Sequence, residues 1–147
     1  MRFMMIMYPK IYETAKAGFV PNMRDMEKMG AYNDALGKAG VLLALDGLTP
    51  PATMSARVTF KDGKSKVTDG PFTEAKEVVG GFWIIQVKSL EEALDWASRI
   101  PGQDNEMVEV RRMFEMTDFD PETQKEIQKK FGDDVYVEMG GAELGQQ

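Results

Sequence analysis

The stretch Val79-Gly80-Gly81-Phe82-Trp83-Ile84-Ile85-Gln86-Val87 constrains this chain more than any other. Its large apolar side chains fall on both faces of an extended strand, so 79–87 predicts a central strand covered on both sides. Such a strand needs a neighbour at each edge and further elements packed over it.

The rest of the chain offers candidates by period. Arg2–Tyr8 alternates mildly, is apolar and is closed by Pro9, which predicts a first strand. Met26, Met29, Tyr32, Leu36 and Ala39 recur at spacings of three and four, so 21–39 predicts an amphipathic helix stopped at Gly40. Val41–Leu45 predicts a short buried strand ended by Asp46-Gly47. Asp62-Gly63 lies between two β-prone runs, 57–61 and 64–68, and is a two-residue hairpin turn. Ser89 and Glu92 have capping-box spacing ahead of a helix whose face is Leu90, Ala93, Leu94, Ala97 and Ile100, with Pro101-Gly102 ending it. Alternation returns over 107–116, placing Val108, Val110 and Arg112 on one side and Glu109, Arg111 and Met113 on the other.

The order strand, helix, strand, hairpin, strand, helix, strand predicts an α+β fold: a ferredoxin-like antiparallel sheet with its helices on one face. The other face of that sheet is apolar and open, and such faces find partners. Two sheets packed face to face make a dimeric α/β barrel, so a homodimer is expected. The core domain spans 1–116. A C-terminal extension, 117–147, starts its own helix at Asp120-Pro121, runs through Ile127 to Phe131 and Gly132, and frays over 140–147.

Composition narrows the chemistry. The 147 residues contain neither cysteine nor histidine. That excludes disulfides, thiolate nucleophiles, zinc fingers, histidine bases and serine–histidine triads. A formal net charge of −6 argues against nucleic-acid binding. Hydrophobic residues at 43% and charged residues at 29% describe an ordinary globular chain, and no apolar run approaches the roughly 20 residues of a membrane span. Pro9 and Lys10 follow the first apolar residues too soon for a secretory signal, so the expected location is cytoplasmic, with no membrane association and no cofactor. Twelve methionines read as adaptable core filler rather than as a binding surface.

One group of motifs remains: Gly47-Leu48-Thr49-Pro50-Pro51-Ala52-Thr53, then Val67-Thr68-Asp69-Gly70-Pro71-Phe72-Thr73-Glu74-Ala75-Lys76-Glu77, then Gly80-Gly81-Phe82-Trp83 and Val108-Glu109-Val110-Arg111. Together, over about residues 2–116, they resemble the DGPF-motif branch of the YCII-related family. The resemblance implies the ferredoxin-like core, the dimeric barrel and a pocket beside the motif, in a family whose biochemical role is largely unassigned. Relatives in the wider family carry a histidine on the first helix and an aspartate near its end, proposed as a catalytic pair. The matching positions here are Met29, or a neighbour, and Lys38, so that chemistry does not carry over.

Read from its residues, Asp69-Gly70-Pro71 is first a turn. The same string gathers Asp69, Glu74 and Lys76 beside Phe72, which allows a carboxylate base, Asp69 or Glu74, with a nearby cation to stabilise negative charge. Candidate ligand-binding residues are Tyr8, Phe72, Lys76 and Arg111, the last as an anchor for a carboxylate or phosphate. Tyr32 is a further hydroxyl donor. Gly80-Gly81 fits neither a phosphate loop nor a dinucleotide fingerprint and reads as a bulge or close backbone approach. Three functions are compatible with the chain: a protein binding a small organic ligand, a histidine-independent enzyme, and a structural oligomer.

Overall fold

The computed structural model describes residues 1–72 and 76–138, the last four of these by their backbone alone. Strand β1 (Arg2–Tyr8) buries every second side chain, Phe3, Met5 and Met7, as its alternation requires. It lies between β5 (Gly81–Gln86) and β6 (Met107–Arg112), antiparallel to both. Strand β2 (Leu42–Gly47) adds to the far edge of β5, giving the order β2-β5-β1-β6. Helices α1 (Met23–Lys38) and α2 (Leu90–Ser98) supply Tyr32, Leu36, Ala93 and Trp96 to one core with Phe3, Met5, Met7, Trp83 and Ile85. Both helices therefore cover the same sheet face, and the fold is the ferredoxin-like α+β arrangement. Burial of a large aliphatic side chain stabilises by about 1.5–3 kcal/mol, and Met5, Leu36 and Ile85 are each 0% exposed.

Helix ends follow the local chemistry. Asn22 caps α1 by accepting from the Asp25 N–H at 2.9 Å. At the other end Gly40 takes φ 71°, and Gly40 and Val41 donate back to Gly37 and Leu36, a left-handed cap that satisfies the last carbonyls. Ser89 caps α2 through the Glu92 N–H, while the Glu92 carboxylate reaches one residue further back, to the Lys88 N–H at 2.9 Å.

Several boundaries differ from the sequence pattern. β5 starts at Gly81 rather than Val79, and only one of its faces is fully buried. On the other face Phe82 and Ile84 are half-buried, beside Met4, Ile6 and Tyr8 of β1. β2 continues through Asp46-Gly47, which pair with Phe82 and Gly81; a register shift between Leu42 and Ala44 precedes them. β6 stops at Arg112 rather than at Met116. The Glu115 carboxylate accepts from the Arg2 N–H at 2.9 Å, and Arg112 pairs with Asp118, which folds the chain into a short 3-10 turn that buries Met116. In α2 the buried row includes Trp96, whereas Leu90 and Leu94 are exposed. The indole sits edge-on to Tyr32, with ring centroids 6.4 Å apart.

The hairpin stands apart. β3 (Ala56–Lys61) and β4 (Lys64–Asp69) form their own two-stranded sheet, with every residue exposed. Asp62 and Gly63 both take positive φ, 53° and 72°, as the tightest hairpin turn demands. Helix α3 (Pro121–Glu138) is capped by Asp120, which accepts from Glu122 and Thr123, and breaks at Gly132, where φ is 81° and ψ −178°. No helix among the described residues is long and apolar enough to cross a membrane.

Candidate functional site

A cleft of about 730 Å³ opens at one end of the sheet, on the helix side. Its size lies within the range of small-molecule sites, roughly 300–1,000 Å³. Five separate segments build it: the exit of β1 with the following turn (Met7, Pro9, Ile11, Tyr12), the approach to α1 with the helix as far as Asn33 (19–33), the end of β2 (Leu45–Gly47), the start of β5 (Gly80–Trp83) and the loop after α2 (Pro101–Glu106).

Two glycines make the cleft possible. A Cβ on Gly80 would lie 2.3 Å from the Pro9 ring, and one on Gly81 would lie 2.8 Å from the Asp46 carbonyl oxygen. The paired glycines thus let the β1 exit and the end of β2 approach β5 closely.

The walls are mostly apolar: Met7, Ile11, Phe19, Met26, Met29, Leu45 and Trp83. Polar groups among them are held in fixed positions. Trp83 Nε1 donates to Asn33 Oδ1 at 2.8 Å, which leaves the Asn33 amide nitrogen as a donor. Trp83 also packs edge-on against Tyr32, centroids 5.8 Å apart. Tyr12 donates to the Leu48 carbonyl at 2.7 Å and stands edge-on to Phe19, and burial raises its phenol pKa. Glu106 accepts from the Lys10 and Gln103 backbone N–H groups at 3.0 and 2.8 Å. Asp25 accepts from Asn22 Nδ2, and Asp46 from the Gly47 N–H, both at 2.9 Å. The lining includes Asp25 and Glu106 and one ammonium, Lys28; Asp46 borders the cleft with its backbone, its side chain lying on the sheet face of Phe82.

The residues singled out from sequence lie elsewhere. Asp69 ends β4, exposed, opposite Ala56 at the foot of the hairpin. Phe72 lies under the Arg57 guanidinium, 3.7 Å from ring centre to Cζ. Lys76 is exposed. With the 2.8 Å Lys10 ion pair as the main cause, and the Glu77 backbone and the Lys76 charge adding to it, the Glu13 carboxyl sits below its usual range. Tyr8 and Arg111 share the sheet face away from the helices, opposite Met107 and Met4. Glu74 lies outside the described residues. None of Asp69, Phe72, Lys76, Tyr8 or Arg111 lines the cleft, whereas Met29 does.

Sequence reasoning missed Asn33, Tyr12 and Glu106. For Asn33 a signal existed: it lies four residues after Met29 and three before Leu36, a polar residue on the apolar stripe. Tyr12 sits in a short 3-10 turn (Lys10–Glu13) and Glu106 in a loop, with no periodicity to mark either. Met26, assigned by its spacing to the core stripe, is 53% exposed because that end of α1 borders the cleft instead of the sheet. Among the described residues no group of three histidine, cysteine or carboxylate side chains could hold a metal ion.

Comparison with known proteins agrees with this architecture. An uncharacterized protein of Rhizobium meliloti (strain 1021) is 39% identical over 75 residues, which cover 51% of this chain and 57% of that protein. The chain therefore matches little more than half the length of that relative. The sequence profile of the YCII-related domain matches residues 1–117, most of the chain and all six strands: the protein belongs to the YCII-related family.

Proposed function

We propose that this YCII-related protein, of the DGPF-motif type, is a homodimeric binding protein that takes a small organic molecule into the cleft between α1 and the β1–β5 end of the sheet. The observation that carries the reading is the cleft itself: apolar walls around a few polar groups whose orientations are already fixed, the usual build of a ligand site. Its charges select the ligand. Two carboxylates, Asp25 and Glu106, against one ammonium, Lys28, disfavour an anion and favour a neutral or amine-bearing molecule with an apolar body.

Binding is better supported than turnover. Among the described residues the carboxylates displaced in pKa, Glu13, Asp118 and Asp120, all move downward, and none lines the cleft. A catalytic base held ready for proton abstraction is displaced upward. Asp69 stands exposed at the hairpin foot, away from the apolar walls that would hold a substrate.

A thermal-shift screen with matched amine, neutral and carboxylate compounds tests this, followed by titration calorimetry of hits. Amines and neutral compounds should raise the melting temperature, and Met29→Trp, which fills the cleft, should abolish the effect. If carboxylates are the preferred ligands, or if hits survive Met29→Trp, the reading fails.

A further inference from the structure

The hairpin has two unlike faces. Ala56, Val58, Phe60 and Val67 share one face with Ser65 near the turn and Asp69 at the foot, and Phe60 is 80% exposed, Val67 65% and Val58 53%. Arg57, Lys61, Lys64 and Lys66 share the other. A free two-stranded ribbon is at best marginally stable in water, and one with an uncovered apolar face calls for a partner. Its base is fixed: Ser55 Oγ donates to the Pro51 carbonyl at 2.7 Å, the Gly70 N–H to the Ser55 carbonyl at 2.9 Å, and the Gly18 N–H to Thr53 Oγ1 at 3.3 Å. The result is a projecting arm on a firm root.

A matching surface exists on the same molecule. Ile11 and Met26, 50% and 53% exposed, line the cleft with Asp25 and Glu106, and Val20 and Met23, 76% and 67% exposed, are chain neighbours of the lining residues Phe19, Pro21 and Asn22. Charge identifies the partner. Residues 56–69 hold four cations and two carboxylates, so with a formal net charge of −6 the remainder of the chain carries −8. A basic arm on an acidic body is complementary to another copy of itself. Strands of six residues reach about 20 Å, twice the roughly 10 Å between packed layers, and a ribbon two strands wide lets lysine stems curl around its edges.

We infer that in a dimer of this chain each copy lays the apolar face of its hairpin over the rim of the other's cleft, with Phe60 as anchor, so that the ligand site is completed by the partner. The inference rests on the cleft reading for its functional meaning; the docking is measured separately.

The absence of cysteine makes the test clean. Full-length Phe60→Cys and Met23→Cys variants are prepared separately, mixed, oxidised and analysed by non-reducing electrophoresis, with each variant alone as control. A covalent dimer specific to the mixture is expected. In sedimentation, Phe60→Asp should weaken dimerisation roughly tenfold or more, as loss of a central aromatic anchor does, and the Lys64→Glu/Lys66→Glu pair should weaken it in a salt-dependent way. Circular dichroism checks that these exposed-site variants remain folded. Two results overturn the inference: a protein that stays monomeric, whether or not its arm binds polyanions, or a dimer indifferent to the arm variants with no mixed disulfide. A dimer broken by Ile6→Asp on the sheet face but untouched by the arm variants removes the arm and leaves the binding reading standing. Ligand binding lost with docking intact does the reverse.

Discussion

The two antiparallel sheets of this protein are built from similar patterns and live in different surroundings. In the four-stranded sheet, alternation places Phe3, Met5 and Met7 against the helices, and the core holds the register. In the hairpin the alternation is just as clean, yet every residue is exposed, and its register is fixed by the Asp62-Gly63 turn and the Gly70–Ser55 bond at its base instead of by a core. Period two thus predicts which residues share a face but not whether that face is covered. Cover depends on what else the chain brings to it.

The difference can be measured. Leu36→Ala, in the core, should cost about 2–5 kcal/mol in urea unfolding. In dilute protein Phe60→Ala should stay within about 0.5 kcal/mol, as exposed sites do. A large effect at Phe60 that grows with protein concentration would mark the arm as covered in solution. Gly81→Ala should cost about 1–3 kcal/mol, because its Cβ meets the Asp46 carbonyl, which belongs to the backbone and cannot swing aside.

Tyr32→Phe should cost about 1–2 kcal/mol, since it leaves the Trp96 carbonyl without the 2.8 Å hydroxyl bond. The same phenol sets an alkaline limit. Burial pushes its pKa to about 12 from the ordinary 10.0, against a smaller opposing effect of the Arg99 charge. Its contribution is intact below the unfolded value and is lost as pH rises through about 12; a melting-temperature profile against pH should lose that alkaline step in Tyr32→Phe. The acid side behaves oppositely. Asp118 is held low by its hydrogen bond to Arg112 and then by the Glu115 backbone, so its contribution is present above the ordinary aspartate pKa and lost as pH falls. Ser89→Ala should remove the α2 cap for about 1 kcal/mol by thermal unfolding.

The fold was legible because its signals are local. Asp62-Gly63, Gly40 and Ser89 each impose a backbone geometry on their immediate neighbours, and the strand order followed from those boundaries. The end of β6 was not, because it is set by Glu115 reaching Arg2 across 113 positions of sequence. The cleft was legible only in part. Its five segments meet through tertiary packing, and the conspicuous charges around Asp69 drew attention to the hairpin foot instead. Gly80-Gly81 was the exception: two adjacent glycines before a bulky strand signalled a close approach, and that approach forms part of the cleft wall.

The Trp83–Asn33 contact gives the molecule an optical gauge. The chain has two tryptophans; Trp96 lies away from the cleft beneath the Arg99 guanidinium, 3.8 Å from ring centre to Cζ, whereas Trp83 forms the cleft wall with its indole N–H tied to Asn33. In a Trp96→Phe background all indole emission therefore originates at the candidate site. A guest that draws Asn33 away from the indole and puts hydrocarbon in its place shifts that emission to shorter wavelength, so occupancy can be followed in unlabelled protein before anyone knows what the guest is.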